Sequence, residues 1–135
     1  MRKDIIIHSA LNNLLEQIDE EYSAIQGDTF EADTEEDTIY FALTNERDAF
    51  YEDFTSRFLL ASAFEPFTLS VLHEIGHLET EAEAVDDIDE RNAITTEAEY
   101  FALYNEAIAT DWAGFFIEDN YETVLQFDNI VKETF

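Results

Sequence analysis

The chain has no cysteine, one proline, three glycines and only six lysines and arginines among its 135 residues. Without cysteine there is neither a disulfide framework nor a thiolate ligand for a metal, and a reducing, cytosolic setting suits the chain. Six cations against 33 aspartates and glutamates leave a formal net charge of -27. Such a surface repels nucleic-acid phosphates and anionic membranes and attracts basic partners, which excludes direct nucleic-acid binding as a function class. Long apolar runs are missing as well. Ile5-Ile6-Ile7 stops at His8, too soon for a signal peptide, and no later stretch approaches the roughly 20 residues that span a bilayer. The expectation is a soluble, cytoplasmic protein. A hydrophobic content of 46% with 14% aromatics supplies a core despite the charge, and the length suits one domain over residues 1–135.

The acidity has three candidate origins: a solvated shell suited to high salt, mimicry of DNA by arrayed carboxylates, and recruitment of a basic protein. The twelve phenylalanines weigh against the first, because a salt-adapted chain is expected to thin out large apolar residues.

Histidine is scarce too, yet two of the three residues fall in one motif. Val71-Leu72-His73-Glu74-Ile75-Gly76-His77-Leu78 reads H-E-x-x-H, and Glu74 is the sole charged residue from Ser70 to Leu78 apart from the histidines themselves. On a helix, residues four apart share a face, so His73 and His77 can address one ion. Imidazole is a good zinc ligand, and Glu74 stands beside the pair as a general base for water. His8, in an apolar helix far upstream, reads as a half-buried structural histidine.

The rest of the chain predicts a predominantly helical α+β fold. Ile6, Ala10, Leu14, Ile18, Tyr22 and Ile25 recur at helical spacing over residues 4 to 26, with Gly27 placed to cap the C-terminus. Residues 29 to 33 and 37 to 43 alternate around the polar Thr34-Glu35-Glu36 and predict a β-hairpin. Asn45 is placed to cap a helix over residues 46 to 63, with Ala49, Phe50, Phe54, Phe58 and Ala61 on its apolar face. Pro66 suits the first turn of the motif helix, which then runs to about Glu81. Residues 82 to 95 are acidic and read mostly as loop, followed by helices over 97 to 118 and 121 to 133.

A zinc enzyme needs a third protein ligand. With no cysteine and no spare histidine, it has to be a carboxylate. Thr96 and Glu99 form a capping box, and Glu97 sits in a first turn, where acids are favoured anyway. Glu106 instead reads as mid-helix, on a face shared with Ala102, Ala109 and Ala113. That stripe of small residues lets another helix approach closely, and Gly76 on the motif helix helps the same approach. Glu106 is therefore the preferred third ligand. Glu83 stands where the last histidine of a longer H-E-x-x-H-x-x-G-x-x-H pattern would be and ranks behind it.

With those residues assembled, the chain resembles the zincin-type metallopeptidases of the ImmA/IrrE family. These carry H-E-x-x-H and then a helix reading E-x-x-A-x-x-F-A, here Glu106-Ala107-Ile108-Ala109-Thr110-Asp111-Trp112-Ala113. The resemblance covers about residues 66 to 118. It implies a zincin-like fold with a small hairpin or sheet on the motif helix, Zn2+ held by His73, His77 and Glu106, and Glu74 as the catalytic base. Asn105-Glu106 also matches the start of the gluzincin N-E-x-x-x-D pattern, with Thr110 at the aspartate position and the acid displaced to Asp111. Some relatives of this kind come from phages and mobile elements and act on DNA-binding repressors. The leading expectation is thus a zinc-dependent metallopeptidase acting on a protein or peptide substrate, a basic one in view of the acidic surface. The alternative is a highly acidic binding or inhibitor protein, a DNA mimic, whose metal site is structural or vestigial. Tyr100 and Tyr104 are candidates to stabilise an oxyanion.

Overall fold

The computed structural model describes residues 2–84 and 103–135. Those residues form a mostly helical α+β structure whose order is α1 (Lys3–Ile18), β1 (Ser23–Gln26), β2 (Glu31–Asp33), β3 (Thr38–Phe41), α2 (Ala49–Arg57), α3 (Pro66–Glu79), α4 (Tyr104–Asp119) and α5 (Tyr121–Thr134). Short 3-10 turns cover Leu59–Ala63 and Glu81–Glu83. None of the described helices is long and apolar enough to cross a membrane.

The hairpin follows the sequence pattern. β2 and β3 pair antiparallel, with Glu31 opposite Tyr40, Ala32 opposite Ile39 and Asp33 opposite Thr38. Asp37 takes a left-handed φ of 50° at the end of the turn, a conformation aspartate tolerates better than most residues. The first long helix does not follow the pattern. It ends at Ile18, and Ser23–Gln26 is a strand pairing parallel to β3 in a sheet of order β1-β3-β2. Tyr22 and Ile25 continue a helical spacing, but β3 offers backbone groups that the chain after Asp19 satisfies by pairing. Gly27 accordingly caps no helix; its N–H donates to the Phe41 carbonyl at 2.8 Å. β3, flanked on both sides, buries Ile39 and Phe41 completely, as a central strand should.

α2 is also shorter than its pattern. It is capped by Asp48, whose carboxylate accepts from Tyr51 N–H at 3.1 Å, and it ends where Phe58 turns extended. Asn45 serves another helix. Its Oδ1 accepts from the Phe67 N–H at 2.9 Å and its Nδ2 donates to Glu65 Oε2 at 3.0 Å, so it caps the start of α3 from 22 residues away in sequence. Helix α4 begins at Tyr104 and not at residue 97 as part of one continuous helix, since Leu103 is not helical; residues 97 to 102 lie outside the described residues. The proposed capping box at Thr96 and Glu99, like Glu97 and most of the acidic loop, lies outside the described residues.

The motif helix α3 is the hub, packing against β2, β3, α2, α4 and α5. Phe67 in its first turn is 1% exposed and meets the rings of Phe30, Phe41, Phe127 and Phe135. Burying a phenylalanine of this kind contributes about 1.5–3 kcal/mol. Its N-terminus carries a second remote cap. Asp128 of α5, fully buried, accepts from Glu65 N–H at 2.9 Å and from Thr68 Oγ1 at 2.7 Å through Oδ1. Its other oxygen lies 3.0 Å from Lys132 Nζ, and that contact raises the lysine pKa. A carboxylate at a helix N-terminus also complements the helix dipole.

Asp128→Ala is therefore expected to destabilise the fold by about 2–4 kcal/mol, because it strands two buried donors at the start of α3. Asp128→Asn keeps an acceptor there and should cost less. Urea unfolding monitored by circular dichroism separates the two; equal midpoints for wild type and Asp128→Ala would refute the capping role.

Candidate metal centre

His73, Glu74 and His77 lie in the second half of α3, and Glu106 lies in the first turn of α4. That placement corrects the mid-helix assignment of Glu106: it stands where the helix dipole itself favours an anion. Contact between the two helices sets the geometry. A Cβ built on Gly76 would come 2.3 Å from the Ala109 carbonyl oxygen, so only glycine allows α4 to lie this close. Ala109 and Ala113 are both fully buried in the same seam.

The close approach brings three ligand side chains together. His73 Nε2 is 3.1 Å from Glu106 Oε1, His77 Nε2 is 3.1 Å from Glu106 Oε2, and the two imidazole Nε2 atoms are 3.2 Å apart. Ligands around a tetrahedral zinc at about 2.0–2.1 Å stand about 3.3–3.4 Å from one another, close to the spacing found here. His73 Nδ1 is 2.9 Å from Thr110 Oγ1. A tautomer that donates Nδ1–H to Thr110 leaves the Nε2 lone pair to a cation, in place of the hydrogen bond to Glu106. A buried set of this kind, two nitrogens and an anionic oxygen, suits a divalent cation such as Zn2+.

The two glutamates have opposite environments. Burial pushes the Glu106 carboxyl up, but hydrogen bonds from His73 and His77, and their charge, outweigh it and hold the group well below the usual carboxylate range. Burial raises Glu74, and the nearby histidines offset this only in part, while Glu106 and Glu31 add to it. Glu74 is 8% exposed, and its carboxylate makes no hydrogen bond among the described residues. Ligand-capable atoms of His73, Glu74 and His77 lie within 4.8 Å of one another, so Glu74 could also reach an ion. Glu106 is nevertheless the better third ligand, since it touches both imidazoles, and Glu74 is left free for proton transfer.

All four residues line one cleft of about 550 Å³, which Phe30, Glu31, Asp48 and Phe50 also border. The Phe50 ring stands edge-on to His73 with centroids 4.9 Å apart. Other candidates lie elsewhere. His8 Nε2 is 2.7 Å from the Ala24 carbonyl oxygen, a structural bond. Asp111 pairs with Arg57, and Glu83 is exposed in the 3-10 turn after α3. Tyr104 is 49% exposed and does not line the cleft; Tyr100 is outside the described residues. Sequence reading missed the role of Thr110, although its position four residues after Glu106, on the same helical face, was the available signal. It also missed the cleft walls, which come from separate elements.

Two substitutions test this geometry. Gly76→Ala gains about 1 kcal/mol of helix propensity but overpacks the seam, for a cost of about 1–3 kcal/mol. It is expected to weaken zinc binding more than tenfold while leaving helical circular dichroism in place. Thr110→Val is expected to weaken zinc binding by about 10–100-fold through loss of the His73 partner. Competition titration against a chromophoric chelator measures both; unchanged affinity in either variant would refute its assigned role.

No family model matches the chain, and neither a curated protein nor a solved structure matches it.

Proposed function

We propose that the chain is a small zinc-dependent metallopeptidase with a zincin-like fold, cytoplasmic, acting on a protein or peptide substrate. The observation that carries this reading is the meeting of His73, His77 and Glu106 at 3.1–3.2 Å beside a buried, unbonded Glu74. The H-E-I-G-H helix and the Glu106–Ala113 segment are also what resembles the ImmA/IrrE metallopeptidases.

Zinc in this donor set supplies Lewis acidity toward a carbonyl and lowers the pKa of water. The remaining work falls to the chain. Glu74 takes a proton from water on a carboxylate oxygen as the water oxygen bonds to the peptide carbonyl carbon, and passes it to the amide nitrogen as the C–N bond breaks. A carboxyl whose pKa is raised by burial suits this double role better than an ordinary surface glutamate, because it holds the proton more readily between the two steps. Thr110 fixes the rotation of the His73 ring. The edge strand β2 contributes Glu31 and Ala32 to the cleft, and an extended peptide can lie along such an edge through main-chain hydrogen bonds.

The net charge of -27 supports a second reading, an acidic protein that binds basic partners, with any metal structural. Metal content separates the two first. Elemental analysis of the purified protein is expected to find a single zinc per chain, lost in both His77→Ala and Glu106→Ala. Glu74→Gln should keep the zinc and lose hydrolysis by about 10²–10⁴-fold. Hydrolysis retained in pure Glu74→Gln protein would overturn the mechanism. Salt-sensitive complexes with basic proteins that persist in a zinc-free wild type would favour the second reading.

A further inference from the structure

The cleft is a binding site on two independent grounds: the converging donors of α3 and α4, and the buried Glu74 carboxylate, which no described residue bonds. Its outer wall adds two more carboxylates from different elements, Glu31 at the start of edge strand β2 and Asp48 at the N-cap of α2. Glu31 accepts a hydrogen bond from the uncharged Thr29 at 3.1 Å. Asp48 uses one oxygen for the Tyr51 N–H. Among the described residues, neither forms an ion pair, and no lysine or arginine lines the cleft. The described cations are engaged elsewhere: Arg2 with Asp4, Arg57 with Asp53 and Asp111, Lys132 with Asp128, and Lys3 and Arg47 over aromatic rings.

We infer that the cleft selects peptides bearing an arginine or lysine side chain near the bond presented to Glu74, with Glu31 and Asp48 as the specificity-determining carboxylates. The inference rests on the reading of this cleft as a peptide-binding site. Phe30 and Phe50 form apolar walls beside the two acids, a setting that takes the aliphatic stem of such a side chain and the face of its guanidinium. Glu31 and Asp48 are both exposed at the rim of the cleft, so each charge pair alone is worth little and the selectivity comes from the two acting together. An acidic side chain in the same place faces four carboxylates and is rejected, so the selection works by repulsion as well as attraction.

The chain is acidic throughout, so the test has to separate these two carboxylates from the general field. The probes are fluorescein-labelled alanine/serine decapeptides with one arginine moved through each position, together with citrulline versions as neutral isosteres. Anisotropy titrations use the Glu74→Gln protein, with zinc and after chelation, at 0.15 M salt, where the Debye length of about 8 Å limits remote contributions. At one or two peptide positions, arginine is expected to bind about tenfold tighter than citrulline. Glu31→Gln combined with Asp48→Asn should bring that ratio near unity; asparagine is as good an N-cap as aspartate, so α2 keeps its start. Glu16→Gln combined with Glu20→Gln, an equal charge change on exposed residues outside the cleft, should leave the ratio in place. Equal binding of arginine and citrulline peptides, no binding of any peptide, or equal loss in both double variants would each overturn the inference. Discrimination that persists while wild-type protein hydrolyses nothing would instead sink the peptidase reading and leave the cleft's selectivity standing.

Discussion

The seam between α3 and α4 is the constraint on which the rest of the centre depends. Two helices cross here with glycine against the alanine carbonyl, and a single added methyl carbon would sit 2.3 Å from that oxygen. The glutamate side chain of α4 is short, so a displacement of about an ångström would take Glu106 out of reach of both imidazoles, a sensitivity general to sites held by direct coordination. A helix-interior glycine costs about 1 kcal/mol relative to alanine. Here that cost is offset by the approach it permits.

The position of α3 is set at its N-terminus by groups that come from far away in the chain. Asn45 arrives from the loop before α2 and Asp128 from α5, and between them they satisfy N–H groups of Glu65 and Phe67 as well as the Thr68 hydroxyl. Proline at the first helical position removes one donor that would otherwise need a partner. The aromatic rings around Phe67 hold the same end by packing. Motif residues at the far end of α3 thus sit on a rod clamped at both ends, by caps and rings at one and by α4 at the other. Rigid support of this kind keeps donor atoms near a fixed geometry.

Charge is distributed with a comparable division. Glu106 and Glu74 are both buried glutamates in one cleft, yet their acidities are pushed apart by their immediate contacts. Burial raises both, but at Glu106 the hydrogen bonds and charge of two imidazoles outweigh it, while at Glu74 the histidines offset it only in part and acidic neighbours add to it. Pairs of titratable groups held apart in this way are characteristic of sites that combine binding with proton transfer.

The candidate donors can be read in the sequence. Two histidines four apart on a helix share a face whatever surrounds them, and a chain with no cysteine leaves carboxylate as the remaining ligand type. Alternation around a polar turn likewise specified the β2–β3 hairpin, because period two leaves little choice of face. Tertiary structure decided what local pattern could not. Ser23–Gln26 is too short for its period to be read, and it became a strand because β3 lay within reach to pair with it. Asn45 caps α3 and not α2 because capping follows proximity in space, which sequence distance does not reveal. A stripe of small residues singles Glu106 out of twenty glutamates in the sequence, but carboxylates are chemically alike, and only the tertiary structure supplies the approach of about 3 Å across a helix seam, with Thr110 beside it.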